Sequence, residues 1–301
     1  MSISVPSILR PQAAAKSIRA GSKLEQGGRI RAVVAWAVGL VFFFPVLYLV
    51  ITAFKTEAAA VVLPPRILPF GDGLPFSFTP TTENFGAVLG RGFGPFFLHS
   101  LIAVGISSVL IVVLAVPCAY SLVWRRGKRS QNILFFFLST KFLPAVGVII
   151  PIFVIARDLR LIDNLIALVI MYTAMNLPIS IWLLRSFFDE IPADVMQAAR
   201  VDGANLRQEL QAIAIPMIFP GLVATVFISL IFAWNEFFFA VNLMATKGAT
   251  VPMFMISFVT SEGLFWAKLA AAGTMAMLPV VILGWVAQKQ LVRGLSLGAV
   301  K

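Results

Sequence analysis

Titratable and amide side chains set inside long apolar runs are the places where this chain could do chemistry. Burying a charge at the centre of a bilayer costs about 2.5–3.5 kcal/mol even on the mildest scale. Three such positions stand out: His99, Lys141 in Ser139-Thr140-Lys141-Phe142-Leu143-Pro144, and Glu236 in Ala233-Trp234-Asn235-Glu236-Phe237. Trp234, Asn235, Glu236 and Asn242, with Tyr172 and Asn176 from an earlier run, offer an aromatic face, amide donors and acceptors, and a carboxylate. These groups suit a hydroxylated ligand, which stacks on the ring and takes paired hydrogen bonds through its hydroxyls. The same groups also hold membrane helices to one another, and both readings stand. Counted from the ends of their runs, Lys141 and Glu236 differ in depth by roughly 15 Å at the α-helical rise, so a direct ion pair is not required. Lys141 has three open roles: snorkelling to the interface, binding carbonyls freed by Pro144 or Pro151, or lining a pathway.

Catalysis finds no such support. The chain has one His and one Cys. No pair of carboxylates is set for acid–base work, and neither a G-x-x-x-x-G-K-[ST] nor a G-x-G-x-x-G phosphate loop is present. No catalytic residue, metal ligand or bound cofactor is therefore assigned. Cys118, beside Pro117, is expected to pack.

The elements that must position these groups follow from composition. Hydrophobic residues make up 59% and charged residues 12% of 301, and mean hydropathy is +0.94, far too apolar for a soluble domain of this length. The expected fold is all-α and polytopic, with six transmembrane helices at about 32–53, 95–123, 133–156, 165–184, 215–243 and 269–287 in one membrane domain, 32–292. Positively charged loops stay on the cytoplasmic side. With the N-terminus inside, 16 of the 24 Lys and Arg fall in cytoplasmic segments and 7 outside, leaving Lys141 in a span. Both termini are then cytoplasmic, and the net charge of +11 is accounted for by topology and anionic headgroups rather than by nucleic acid.

Residues 1–31 read as a basic, disordered cytoplasmic tail, and the run that follows is too long for a cleavable signal core. Two outer loops are substantial. One, about 55–94, is punctuated by Gly and Pro and holds a helix candidate at 82–89, so it reads as an ordered cap. The other, 245–268, is polar enough to face water and long enough to reach a docked partner or to serve as a plain connector.

Between the fourth and fifth spans lies an inner loop, about 186–214. Pro192 suits a first helical turn and Asp194 complements the positive helix end, so a short helix over about 193–201 is expected. Gly203 can take positive φ, and a second helix can then run from Leu206 toward Pro216, making a helix-turn-helix across the membrane face. Val195, Ala198, Ala199 and Asp202 share one stripe of small side chains that would let another surface approach closely. An interfacial helix pair lying on lipid is the plainer alternative.

The register Gln197-Ala198-Ala199-Arg200-Val201-Asp202-Gly203-Ala204, nine further residues including Ala204 after the glycine, then Ile213-Ala214-Ile215-Pro216, resembles the loop signature of binding-protein-dependent ABC importer permeases. The family pattern has Glu where Gln197 stands and Leu where Ile215 stands. The first change removes a charge that could pair with a partner. Asn176-Leu177-Pro178, the Trp234 phrase and the tail 293–301 resemble the smaller, maltose-transporter-like permease of carbohydrate importers, in the sugar and polyol branch. The resemblance covers about 32–301. It implies a bacterial inner-membrane subunit, non-catalytic, forming half of a heterodimeric pore with a second permease. Two ATP-binding subunits using ATP and Mg would sit below, and an extracytoplasmic sugar-binding protein above, where the outer loop 245–268 would touch it.

In that setting Gln197, Ala198, Ala199, Asp202, Gly203, Ala204, Ile213 and Pro216 would couple to the ATPase. Lys141, Tyr172, Asn176, Trp234, Asn235, Glu236 and Asn242 are the substrate-pathway candidates. The tail 293–301 would reach the ATPase interface or simply fray. The implied cargo is a sugar, polyol or sugar derivative, an anionic one being compatible with Lys141. Amino acids or peptides are the alternative cargo. An ion-coupled carrier is the alternative mechanism, although the two halves of the chain show no clear internal repeat.

Overall fold

The computed structural model describes residues 11–71, 73–125, 127, 130–245, 248–260 and 263–297. Helices dominate: α1 (Pro11–Ala53), α2 (Glu57–Val61), α3 (Glu83–Gly90), α4 (Phe93–Trp124), α5 (Ser130–Thr140), α6 (Ala145–Asp158), α7 (Leu165–Asp189) and α8 (Ala193–Val201). After these, α9 (Leu206–Gln208) runs through a π-helical segment, Glu209–Ala214, into α10 (Ile215–Trp234). The chain closes with α11 (Phe238–Leu243), α12 (Val251–Ile256), a small antiparallel hairpin of β1 (Val259–Thr260) and β2 (Gly263–Leu264), and α13 (Trp266–Leu297).

Among the described residues five helices are long and apolar enough to cross a membrane, and α5 with α6 makes a sixth if a pair bent by 90° counts as one span. The straight span expected at 133–156 is thus broken at its Lys141 phrase. Pro144 is the cause: it lacks an N–H, biases Leu143 away from the helical region, and sits in extended geometry ahead of α6. The span expected at 215–243 is also interrupted, since α10 ends at Trp234 and α11 begins at Phe238.

The N-terminal expectation needs correction as well. Helix α1 begins at Pro11 and runs 43 residues, about 64 Å at 1.5 Å per residue, roughly twice a bilayer core. Proline at the first helical position and the Ala13-Ala14-Ala15 run favour the early start. Residues 1–10 and the last four of the expected tail lie outside the described residues.

The most extensive packing joins α4 to α7. Ser100, Ala103, Ser107, Ala115 and Ala119 are buried along α4, mostly at spacings of three and four, and let the backbones approach as membrane helices require. Serine and threonine hydroxyls on both helices donate to carbonyls one turn back, as Ser107 does to Val104 O at 3.0 Å and Thr173 to Val169 O at 2.7 Å. Ser180 of α7 also meets Ser229 of α10 at 2.9 Å, one polar stitch between helices.

The loops at 55–94 and 245–268 are more structured than connectors. The first carries a helix one residue later than expected, Glu83–Gly90 with Thr82 rather than Thr81 ahead of it, and Asn84 donates to the carbonyls of Ala53 and Lys55 at 2.8 and 2.7 Å, tying the loop to the end of α1. Glu57 accepts from the N–H groups of Ala267 and Lys268 at 3.0 and 3.1 Å, satisfying orphan donors at the start of α13. The second loop was expected to face water, yet its α12 buries Val251 and Phe254, and Phe254 packs against Phe93, Phe96 and Phe258. The phrases Thr246-Lys247 and Ser261-Glu262 fall outside the described residues.

Candidate functional site

Two sites were expected, one at each end of α10. At the first, α8 spans Ala193–Val201 as read, with Pro192 ahead of it and Asp194 in its first turn. Gly203 takes φ +84. Its N–H bonds to Arg200 O at 3.1 Å, and the N–H of Ala204 bonds to Ala199 O at 2.9 Å, closing the helix with a two-bond Schellman turn. Asn205 and Gln208 then form a reciprocal capping box at 3.0 and 2.9 Å that starts α9.

Burial splits the expected stripe. Ala199 turns into the bundle beside Met196, while Val195, Ala198 and Asp202 stay exposed with Gln197 and Gly203. Val195 and Met196 both lie about one turn from Ala199, and it is the side shared by Met196 and Ala199 that turns inward. Val201, at 87% exposure, stands at the outer corner. Ala204 and Ile213 are half-buried and Pro216 exposed.

Sequence reading missed the polar contact that fixes this helix pair. Arg200 donates through Nε and Nη2 to both oxygens of Glu209, at 3.0 and 3.1 Å. The hydroxyl of Tyr120, on α4, donates to the same carboxylate. Glu209 is buried, and its bonds push the Arg200 guanidinium further above its ordinary range. No spacing rule pairs residues nine apart; only the Gly203 turn brings them together. The one available signal was a lone acidic residue in a mostly apolar second helix.

At the other end, Glu236 sits in the break between α10 and α11. Its carboxylate accepts from the N–H groups of Phe239 and Ala240 at 2.8 and 3.2 Å, capping α11. Tyr172 lies beside it, fully buried. Trp234 stands edge-on to Phe97 at 5.9 Å and, with Asn235, lines a cleft of about 250 Å³ against α12 and α13. Asn235 is exposed and donates to Ile231 O, whereas Asn242 donates to Phe238 O, each within its own turn. Asn176 is buried one turn beyond Tyr172. Its amide donates to Tyr172 O at 2.9 Å, and its Oδ1 has no hydrogen-bond partner among the described residues.

Tyr172, Trp234, Asn235 and Glu236 are therefore brought together, while Asn176 and Asn242 are spent largely on their own helices. Lys141 is exposed in the bend between α5 and α6. Its depth relative to Glu236 is set by that bend rather than by a straight helical rise. His99 Nδ1 lies 3.1 Å from Ala249 O, a link between α4 and the loop at 245–268.

Apolar helices long enough to cross a membrane, a polar break within one of them and an exposed helix-turn-helix describe a polytopic membrane protein. The chain belongs to the family described as "Binding-protein-dependent transport system inner membrane component", whose model matches residues 86–297. It is 32% identical to the probable ABC transporter permease protein y4oR of Sinorhizobium fredii over 88% of this chain and 93% of that one. It is 31% identical to the trehalose transport system permease protein SugB of Mycobacterium tuberculosis, over 76% and 85%. It is 30% identical to the diacetylchitobiose uptake system permease protein DasC of Streptomyces coelicolor, over 88% and 93%. A chain in the crystal structure of a bacterial ABC transporter importing the acidic polysaccharide alginate shares the fold, with TM-score 0.69 at 24% identity over 89% and 97%. Members of this family are non-catalytic inner-membrane subunits, and partner ATPases hydrolyse ATP.

Proposed function

We propose that this chain forms half of a heterodimeric pore that imports a carbohydrate delivered by an extracytoplasmic binding protein. The observation carrying the coupling half of this reading is the exposed ridge of α8. Gln197, Ala198, Val201 and Asp202 face outward from a helix that Met196, Ala199 and the Gly203 turn hold against the bundle. An exposed ridge seated on the bundle suits an intimate protein contact, here with one of two ATP-binding subunits that use ATP and Mg. Six spans, with α5 and α6 as one bent span and both termini cytoplasmic, put this ridge on the ATP side.

Carbohydrate is favoured by the trehalose and diacetylchitobiose systems named for two relatives, and by the Trp234 and Asn235 cleft, whose ring and amide can stack on and bond to hydroxylated cargo. Closure of the ATPase pair would draw the two coupling helices together, and the spans would turn the central cavity from inward-open to outward-open as rigid bodies. Lys141 and Asn235, both exposed, would border that path.

Co-purification from membranes in mild detergent, followed by an ATPase assay, tests the reading. The expected result is recovery of a second permease and an ATPase, with hydrolysis stimulated by a binding protein loaded with one particular sugar. A stable homo-oligomer without ATPase would overturn it.

A further inference from the structure

We infer that Arg200, Glu209 and Tyr120 form a strut that transmits displacement of α8 directly to α4, as positioning residues outside the loop motif. The inference rests on the reading of α8 as the ATPase contact.

The apolar seat of α8 is small. Met196 and Ala199 are its buried residues, and contacts of that kind are non-directional, so they resist separation but not rocking. The strut supplies direction. Two parallel N–H···O bonds, at 3.0 and 3.1 Å, fix both the distance and the angle between Arg200 and Glu209. Tyr120 fixes the other side of the carboxylate. It is itself held, at 2% exposure, edge-on to the fully buried Phe188 at 5.7 Å and 83°.

Three elements thus meet on one carboxylate: α8, the π-helical segment and α4. Glu209 is the first residue of that π-helix. Such wide turns are rare and recur at functional positions. Chain continuity links α8 only to α7 and to α9 and α10. Without the strut, the described contacts leave α4 to feel α8 through apolar packing and through α7 and α10.

The test is the reconstituted transporter with its ATPase and binding protein, carrying Glu209→Gln, Arg200→Lys or Tyr120→Phe. Three quantities are read: uptake per ATP hydrolysed, thermal stability, and a disulfide formed under added oxidant between Val201→Cys and a cysteine introduced on the ATPase. In Glu209→Gln, assembly and crosslink persist, ATP hydrolysis stays within about twofold, and uptake per ATP falls about tenfold, inside the range of roughly 5- to 150-fold typical of site coupling. Arg200→Lys and Tyr120→Phe move the ratio in the same direction by less. If Glu209→Gln does not assemble, the result is read on Tyr120→Phe, which removes one hydroxyl and keeps the ring.

A merely structural role would lower stability and yield while leaving uptake per ATP at the wild-type value, and that outcome overturns the strut. Absence of the Val201→Cys crosslink in the otherwise wild-type complex would instead refute the reading of α8 on which the strut rests.

Discussion

Replacing Gly203 by proline tests the turn between α8 and α9, because the structure shows each thing proline would remove. Gly203 holds φ +84, which the pyrrolidine ring cannot adopt. Its N–H donates to Arg200 O at 3.1 Å, and proline has none. Asp202, at φ −71 and ψ −1, would precede a proline in a region that residue position disfavours. The lost hydrogen bond is worth about 1 kcal/mol and the incompatible backbone at least about 2 more, so the closed turn becomes at least about a hundredfold less populated. Gly203→Ala is the graded control: it keeps the N–H and costs about 1–2 kcal/mol for a left-handed L-residue. Membrane insertion, ATP hydrolysis and uptake would be measured on the reconstituted complex. Insertion should match wild type, since the turn lies outside the apolar runs, while uptake per ATP falls at least about tenfold for proline and less for alanine. Normal coupled uptake in Gly203→Pro would refute the assignment of this loop as the coupling element.

Three other outcomes are expected. A Cβ on Gly221 would lie 2.3 Å from the Phe187 ring, so Gly221→Ala should destabilise by about 1–3 kcal/mol through overpacking; a melt in detergent should show the loss, and its partial recovery on adding Phe187→Leu. Glu57→Ala removes the acceptor of two N–H groups at the start of α13, at about 0.5–2 kcal/mol; faster hydrogen exchange at Ala267 and Lys268 is the readout, and unchanged exchange would deny the cap. Trp234→Ala should raise the cargo concentration for half-maximal uptake by about 2- to 10-fold, the worth of one aromatic stacking contact; an unchanged value would remove Trp234 from the pathway.

The helix-turn-helix was legible because its signals are local: a proline before α8, an acidic residue in its first turn and a glycine after it; the Asn205 and Gln208 capping box that starts α9 went unread. Hydropathy likewise found the long helices, since length and apolarity are properties of a run. It could not find the breaks. Asn235 and Lys141 sit in stretches apolar enough to be averaged into a continuous span, yet α10 stops at one and the chain bends 90° at the other. Proline alone did not mark those places, because Pro117 and Pro178 lie inside unbroken helices. Nor could the exposed and buried faces of α8 be told apart from spacing, since which of two adjacent stripes turns inward is decided by the bundle. The Arg200, Glu209 and Tyr120 contact is non-local in the fullest sense, joining positions 80 to 89 residues apart on one side.

From Leu206 the helical path reaches Trp234 without a gap, 29 residues that cover about 43 Å. One end is fastened at the Gly203 turn; the other ends where Trp234 and Glu236 meet Tyr172. Such a rod keeps two clocks in phase. Every residue added to it would turn its far end by about 100° and advance it by about 1.5 Å, swinging Trp234 away from its cleft while the segment stayed equally helical and apolar. The length of this segment, counted in whole residues, is therefore as much a part of the machine as any side chain on it.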